Sequence, residues 1–600
     1  MQTLTAAELV QQMSQLSPAD QRQVELQAKQ ARLTAEQQAF ESLANDQAKQ
    51  VDDVRAVLHE QFVSRASGKP WADGLLPHQW SGMEFGAGAR RWLLGDGMGL
   101  GKTRTTIGWL DLVGARRVVI VCQAEIAAQF AGEVMDLAPH RPVYNLSKNT
   151  PAVRHRLLDE ATQSDATIVV NYEMFRRDKD ALAKLIEWHA DSVIIDEAHN
   201  LKSTSSSNYK LMQLLVSADN VCGRCGEHIN GLRGQDKRPK PCERCGWKLG
   251  LAPSVDHVYP LDRYLHTKSV KNLALTTGTP ILNSPDDIYP LLHLIDPIQF
   301  VNRAQFTSMF CMMNYASGKL EFRHAGLDRL KQLIRGRYIG RTIADTGVTL
   351  PEQHIRVVRV DMDPKEYPKQ LRVVQQISSS ARIVLESGDS HNIMHLMTLI
   401  LRKRQANVWP AGIQIKDAQG DVVFSVGSEV QESCKIDAVC ENIARQHARG
   451  KRQIVFSQFQ TALVALEARL RRDGYRVARF DGSTPDALRA EIKHDFYQSS
   501  SPRWDVVLVH YRSGGTGLNL QQATVTHILD EEWNPGRRDQ AYARTHRMGQ
   551  SQETEVFVYR VPGGVDSWMA NLIRRKEKII GDFAQDIDTE RELREQLLAG

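Results

Sequence analysis

The chain has 600 residues, 42% hydrophobic and 24% charged, with 76 Lys and Arg against 71 Asp and Glu for a net charge of +5. This length exceeds one hydrophobic core and predicts about three or four compact units, while the composition excludes a mostly disordered chain. The charge excess is too small to announce a nucleic-acid binder, so any such surface must be local. No run approaches ~18 uninterrupted apolar residues, which argues against a transmembrane helix. The first residues, MQTLTAAELVQQ, lack the basic-then-apolar pattern of a secretory signal, and a cytoplasmic protein is expected. Eight cysteines do not make a disulfide scaffold, and four of them form two close pairs, which suggests metal in a reducing compartment.

Residues 1–66 are rich in Gln, Ala and Glu. Thr5 with Glu8, Ser17-Pro18 with Asp20, and Thr34 with Gln37 resemble helix starts, so a short helical extension is predicted, either packed against the main body or docking a protein partner. From residue 70, brief apolar runs alternate with helical stretches: Val118–Val121, Thr167–Val170, Val193–Ile195 and Leu273–Leu275. A second series comprises Ile454–Phe456, Val506–Val509, Thr526–Leu529 and Val556–Tyr559. Runs of this length, apolar on both faces, suit buried parallel strands covered by helices, and two series predict two α/β domains. The expected division is a first domain over 67–350, a helical protrusion or linker over 351–432, and a second domain with C-terminal helices over 433–600. The Gly/Asp-rich patch 411–428 reads as a loop or hairpin.

The strongest local signal is Gly95-Asp96-Gly97-Met98-Gly99-Leu100-Gly101-Lys102-Thr103, after the apolar Trp92–Leu94 and before a helical stretch. A strand, a Gly-rich turn and a helix N-terminus direct backbone N–H groups and the positive end of the helix dipole at one phosphate. Lys102 then reaches the β and γ phosphates of ATP, and the Thr103 hydroxyl ligates Mg²⁺. The strict pattern has Gly where this chain has Asp96. Val193-Ile194-Ile195-Asp196-Glu197-Ala198-His199 is an apolar strand ending in two carboxylates that would face the same crevice. Asp196 would hold Mg²⁺, and Glu197 would orient and deprotonate the attacking water. Arg544 and Arg547, three apart and on one face if helical, would bring positive charge to the γ-phosphate from the second domain.

Taken in order, these motifs resemble the Swi/Snf-type DNA-dependent ATPases of helicase superfamily two. The match begins at Leu76-Pro77-His78-Gln79-Trp80 and continues through the phosphate loop, D-E-A-H, Leu275-Thr276-Thr277-Gly278-Thr279-Pro280 and Asn283. It resumes at Ile454–Phe459, Asp481–Thr484, Ser513–Leu520, Trp533-Asn534-Pro535 and Gln540-Ala541-Tyr542-Ala543-Arg544-Thr545-His546-Arg547-Met548-Gly549-Gln550. The resemblance covers roughly residues 70 to 580 and implies two tandem RecA-like domains that move along double-stranded DNA. It implies that Gln79 reads adenine and that Gln540 joins the nucleotide set. It further implies sequence-independent backbone grips near Gln123, Asn171-Tyr172-Glu173 and Thr279 in the first domain, and Ser457, Gln458, Ser513, Gly514, Thr516 and Asn519 in the second. Two departures stand out: Gly97 replaces a usual acidic residue, and Cys122-Gln123-Ala124-Glu125 lacks a usual proline.

Cys222, Cys225, Cys242 and Cys245 form C-x2-C-x16-C-x2-C, a spacing expected of a structural four-thiolate zinc site. It lies between D-E-A-H and T-G-T-P, as an insertion of about 219–258 in the first domain. Residues 221–250 carry seven Lys/Arg against three Asp/Glu, with Lys237-Arg238-Pro239-Lys240 at the expected tip. A solvated basic tip and an auxiliary DNA or protein contact both fit. The leading functional expectation is a DNA-stimulated ATPase that translocates on duplex DNA, and by analogy with the family the lack of a chromatin-reading module suggests a compact motor of bacterial or phage-infected cytoplasm. A strand-separating helicase, an ATPase that recycles RNA polymerase, and a zinc-containing scaffold without turnover are the competing readings.

Overall fold

The computed structural model describes residues 62–216 and 270–570, apart from short gaps at 282–283, 298, 301, 315–318, 387–392, 417–420, 499–501, 512–519, 533–534, 548, 563–564 and 567–569, and also residues 42, 49 and 59. Of the expected N-terminal helical extension, residues 42, 49, 59 and 62–66 are described and helical; its remainder, the four zinc-site cysteines, and Ser513, Gly514, Thr516 and Asn519 lie outside the described residues.

Seventeen strands are described. In the first lobe they are β1 (Arg91–Leu94), β2 (Val118–Cys122), β3 (Val143–Asn145), β4 (Thr167–Asn171), β5 (Ser192–Ile195), β6 (Asn272–Thr276), β7 (Cys311–Asn314), β8 (Lys319–Phe322) and β9 (Tyr338–Ile339). Seven of these form one sheet in the order β3-β4-β2-β5-β6-β1-β9, with every pairing parallel. β1, β2, β4, β5 and β6 are buried at every position, as their two-sided apolar sequences require. Alternate residues feed two cores: Val119, Val121, Ile168, Val193 and Leu275 on one face, and Val118, Ile120, Val169, Ile194 and Ala274 on the other. β7 and β8 form a separate antiparallel hairpin.

The remaining strands are β10 (Gln353–Arg359), β11 (Gln414–Lys416), β12 (Val422–Ser425), β13 (Gln453–Ser457), β14 (Val477–Phe480), β15 (Val506–His510), β16 (Val525–Ile528) and β17 (Thr554–Arg560). The second sheet runs β10-β17-β16-β13-β15-β14, again all parallel. Residues 351–432, expected as a helical protrusion, therefore contribute an edge strand, β10, to the second lobe. The rest of that stretch comprises the helices Pro368–Glu386 and Ile393–Val408 and the β11–β12 hairpin, with its own apolar cluster of Val373, Ile377, Leu399, Ile413, Ile415 and Val426. Both lobes are RecA-like α/β units. Parallel strands place the loops after β1, β2, β4, β5 and β6 at one edge of the first sheet, where a doubly wound fold collects its ligand-binding groups.

Candidate nucleotide site between the lobes

β1 delivers the chain to Gly95, and the helix Lys102–Leu112 begins seven residues later. Gly99 and Gly101 adopt φ of 82° and 80°, a region glycine enters without penalty, which lets the loop turn tightly. No side chain caps the helix start, so its first-turn N–H groups face the loop's concavity. Lys102 Nζ donates to the carbonyls of Asp96 at 2.8 Å and Gly97 at 3.1 Å. Gly278 of the T-G-T-P segment packs against this loop: a Cβ there would lie 3.4 Å from Met98 Cγ and 3.7 Å from Lys102 Nζ.

β5 ends at Ile195 and places Asp196 and Glu197 beside the lysine. Asp196 Oδ1 accepts from Thr276 Oγ1 at 2.6 Å, and its carbonyl accepts from Tyr172 Oη at 2.6 Å. Burial and the neighbouring Glu197 charge raise the Asp196 carboxyl to about 6, against the opposing Thr276 bond and Lys102 charge. Glu197 occupies the left-handed region at φ 49°, a strained conformation for a side-chain-bearing residue. Burial works to raise Glu197, but its His199 hydrogen bond, with the Lys102 and Arg544 charges, holds it below the ordinary carboxylate range. His199 Nδ1 lies 3.1 Å from both Glu197 Oε2 and Thr277 Oγ1.

Arg544 and Arg547 reach this group from the second lobe. They are not on a helix face, as expected; the helix Pro535–Tyr542 ends before them, and they sit in the turn that follows. Gln550 fixes that turn by donating Nε2 to the carbonyls of Thr545 at 2.9 Å and Gln521 at 3.0 Å. Met98, Gly99, Lys102, Thr103, Asp196, Glu197, Arg544 and Arg547 line one cavity of about 240 Å³, together with Gln129 and Glu133. The lobes meet closely: a Cβ on Gly99 would lie 3.2 Å from Arg547 Cβ. Desolvation and the Arg547 charge lower Arg544 to about 10, despite Glu197. Desolvation lowers Arg547 as well, partly offset by Glu133.

Most of the other expected residues have partners within the fold. Gln79 is buried, accepting from the Leu76 N–H at 3.1 Å and donating to the Leu100 carbonyl at 3.1 Å, so it orders the loop. Asp96 is fully buried and paired with Arg341, Nη2 to Oδ2 at 2.7 Å, so its carboxylate serves the protein rather than the nucleotide. Asn171 caps the helix Tyr172–Arg177, accepting from the Met174 N–H at 2.8 Å and donating to Ser147 Oγ at 2.6 Å. Thr279 is buried, with its N–H on Thr277 Oγ1 at 3.1 Å. Ser457 is wholly buried and donates to Asp530. These three side chains are committed to turns and caps, so a DNA contact at these segments would fall to their backbone groups rather than their side chains. Gln123 and Gln458 are half-buried, and Gln458 gives its carbonyl to His510 Nε2 at 3.0 Å. The side chain of Gln540 lies outside the described residues.

Sequence reasoning left Arg341, His199, Thr276 and His546 without roles. The last three lie inside quoted motifs and were within reach. Arg341 lies 245 residues from Asp96, and no local pattern marks it.

The two sheets, the phosphate loop and the trans-acting arginines define a two-lobed, helicase-like ATPase fold. The SNF2-related domain model matches residues 57–222 and 262–411, and the helicase conserved C-terminal domain model matches 434–549. The chain belongs to the SNF2-related family of helicase-like ATPases. It is 26% identical over 505 residues to the probable ATP-dependent DNA helicase CHR12 of Arabidopsis thaliana, covering 81% of this chain and 39% of that protein. It is 26% identical over 318 residues to Protein CHROMATIN REMODELING 5 of the same plant, covering 51% of this chain and 18% of that one. The chain thus spans about two-fifths or less of these curated relatives. Among solved structures it is similar to a Sulfolobus solfataricus SWI2/SNF2 ATPase core in complex with dsDNA, with 20% identity, a TM-score of 0.36, and coverage of 85% of this chain and 92% of that one. Among the described residues no helix is long and apolar enough to cross a membrane.

Proposed function

We propose that this chain is a DNA-stimulated ATP hydrolase that translocates on duplex DNA, closing and opening its two lobes with each nucleotide. The observation that carries the reading is the single cavity lined by Lys102, Thr103, Asp196 and Glu197 from one lobe and Arg544 and Arg547 from the other. Separate lobes that share one anion-complementary cavity make hydrolysis depend on closure. Lys102 and the loop N–H groups hold the phosphates, Glu197 accepts a proton from the attacking water, and the arginines stabilise charge on the γ-phosphoryl oxygens. Thr103 and Asp196 suit a hard divalent cation: a hydroxyl and a carboxylate on one cavity wall, with the carboxylate crowded by a second one. Mg²⁺ there would neutralise phosphate charge.

Double-stranded DNA is the proposed partner, bound through its backbone without sequence preference. The four cysteines are proposed to hold structural zinc in an insertion, in keeping with the break of the family match over 223–261. Metal analysis of the purified protein, with Cys242→Ser as control, tests the zinc. Steady-state ATP hydrolysis without nucleic acid and with single-stranded DNA, duplex DNA or RNA tests the motor. Duplex stimulation that disappears in Lys102→Ala is expected. Preference for single strands or RNA would favour the strand-separating or transcription-linked reading, and no turnover with any of them would leave the scaffold.

A further inference from the structure

We propose that the interlobe linker, residues 340–352, is a strap fastened to both halves of the nucleotide site, with Arg341 and His546 as its positioning residues. The proposal rests on the ATPase reading above and adds a route by which the phosphate loop reports to the arginine turn.

The first fastening is built into the sheet edge. β9 pairs with β1, Leu93 opposite Tyr338 and Leu94 opposite Ile339, and the chain then continues along the phosphate loop. The Gly95 N–H donates to the Ile339 carbonyl at 2.7 Å and the Gly97 N–H to the Arg341 carbonyl at 2.7 Å. The Arg341 side chain adds a two-pronged grip on Asp96, Nε to Oδ1 at 2.9 Å and Nη2 to Oδ2 at 2.7 Å, while Nη1 donates to the His78 carbonyl at 2.5 Å. Room for the guanidinium comes from Gly82, where a Cβ would fall 2.9 Å from Nη2. Asp96 is held from two sides: Arg341 takes its carboxylate and Lys102 its carbonyl. A planar guanidinium that satisfies a buried carboxylate at both oxygens fixes orientation as well as position. This gives a reason for Asp96 to stand where the strict phosphate-loop pattern has glycine.

The second fastening lies in the other lobe. The Pro351 carbonyl accepts from His546 Nε2 at 2.8 Å, and His546 sits between Arg544 and Arg547 in sequence. The Thr554 N–H donates to the Glu352 carbonyl at 3.0 Å, which pins the same end beside β17. Just after the first fastening, residues 342–346 of the linker are internally tied. Thr342 gives both its N–H and its hydroxyl to Asp345 Oδ2 at 2.7 Å, and Thr346 Oγ1 donates to the Ile343 carbonyl at 2.7 Å. A turn tied in this way shortens the slack between the two fastenings, which a wholly flexible linker of that length would keep.

Hydrogen exchange with a non-hydrolysable ATP analogue tests the strap without needing turnover. In the wild type, the analogue should slow exchange in the phosphate loop, in 340–352 and in 543–547; in Arg341→Ala, protection of 340–352 should be lost, while 543–547 keeps what direct contact with the phosphates supplies. Protection of 340–352 that survives Arg341→Ala overturns the strap. A wild type without protection anywhere overturns both the strap and the nucleotide reading. Kinetics supply a second arm. Asp96→Gly restores the strict pattern yet removes the anchor, and it should lower DNA-stimulated turnover about tenfold, as should Arg341→Ala and His546→Ala. His546→Gln, which keeps a donor for Pro351, should retain most activity. Arg341→Ala combined with His546→Ala should be no worse than either alone, and multiplying losses would overturn the route. Arg341→Lys reaches one partner at a time and guards against a folding defect: intermediate turnover at an unchanged melting temperature is expected, and wild-type turnover counts against the strap. A wild type that binds the analogue and protects all three segments but never hydrolyses ATP would keep the strap and sink the hydrolase.

Discussion

The two lobes bring their charges to the cleft in different ways. In the first, each key group is held by a nearby bond: Lys102 on its own loop carbonyls, Asp196 by Thr276, and Glu197 beside His199. The second brings two arginines side by side into a desolvated space, and the cationic form of each is weakened by that placement. Organised carboxylates and lysine define a resting geometry, whereas two crowded guanidiniums gain most when a polyanionic phosphate lies between the lobes. The first lobe thus reads as the binding half and the second as the half that makes turnover conditional.

The sharpest way to break that contrast is to remove charge from one side at a time. Arg544→Ala and Arg547→Ala should each cut DNA-stimulated turnover by about 10³-fold or more, with nucleotide affinity changed far less. Glu197→Gln should reduce turnover by roughly 10²–10⁴-fold while nucleotide still binds, since a general base is lost and the phosphate grip is kept. Fluorescent-nucleotide titration beside steady-state ATPase separates the two quantities. If the arginine variants lost affinity and kept kcat, the assignment of roles to the lobes would be inverted. Thr276→Val, which removes the hydroxyl bonded to Asp196, should have a smaller effect. A rise of about tenfold in the Mg²⁺ needed for half-maximal turnover is expected, as for other groups that orient a metal-holding residue.

The same contrast shows what can be read in a sequence. The two series of buried strands were legible because parallel strands covered on both faces must be apolar throughout, and Val118–Cys122 or Val506–His510 leave little choice. Lys102, Asp196 and Glu197 were legible because strand ends and a Gly-rich turn fix them locally. β10 was missed within 351–432 because it is an edge strand with Ile355 and Val357 exposed among polar residues, so its pattern differs from that of the buried runs. The Asp96–Arg341 pair was invisible for another reason: 245 positions separate residues that only the closed sheet edge brings together. Asn171 and Ser457 were ambiguous in another way. Small polar residues at strand ends suit a phosphate contact and a turn equally well, and only burial shows that these two serve turns.

The second lobe also differs in its response to acid. His527 is wholly buried between Tyr559 Oη at 2.9 Å and Gln453 Oε1 at 2.8 Å, and burial lowers it to about 3. The unfolded chain takes up a proton near pH 6.5 that the folded lobe refuses, so stability falls as pH drops below about 6.5 and continues to fall towards 3. The loss should approach about 1.4 kcal/mol per pH unit from this group. Melting between pH 7.5 and 5 should show a fall in the second lobe's transition that His527→Asn flattens; an unchanged slope in the variant would assign the acid response elsewhere.

The smallest effect separates a cap from a grip. Asn171 ends β4 and closes the first turn of the helix Tyr172–Arg177. Asn171→Ala should cost about 1 kcal/mol, typical of a lost helix cap, and shift the first lobe's melting by about 2–4 °C. Because the side chain is buried against Ser147, DNA affinity at fixed salt should be unchanged. A direct phosphate contact would instead weaken binding at every salt concentration without altering the salt slope, since Asn carries no charge. The two outcomes move different observables, so one variant decides whether this strand end stabilises the lobe or holds the duplex.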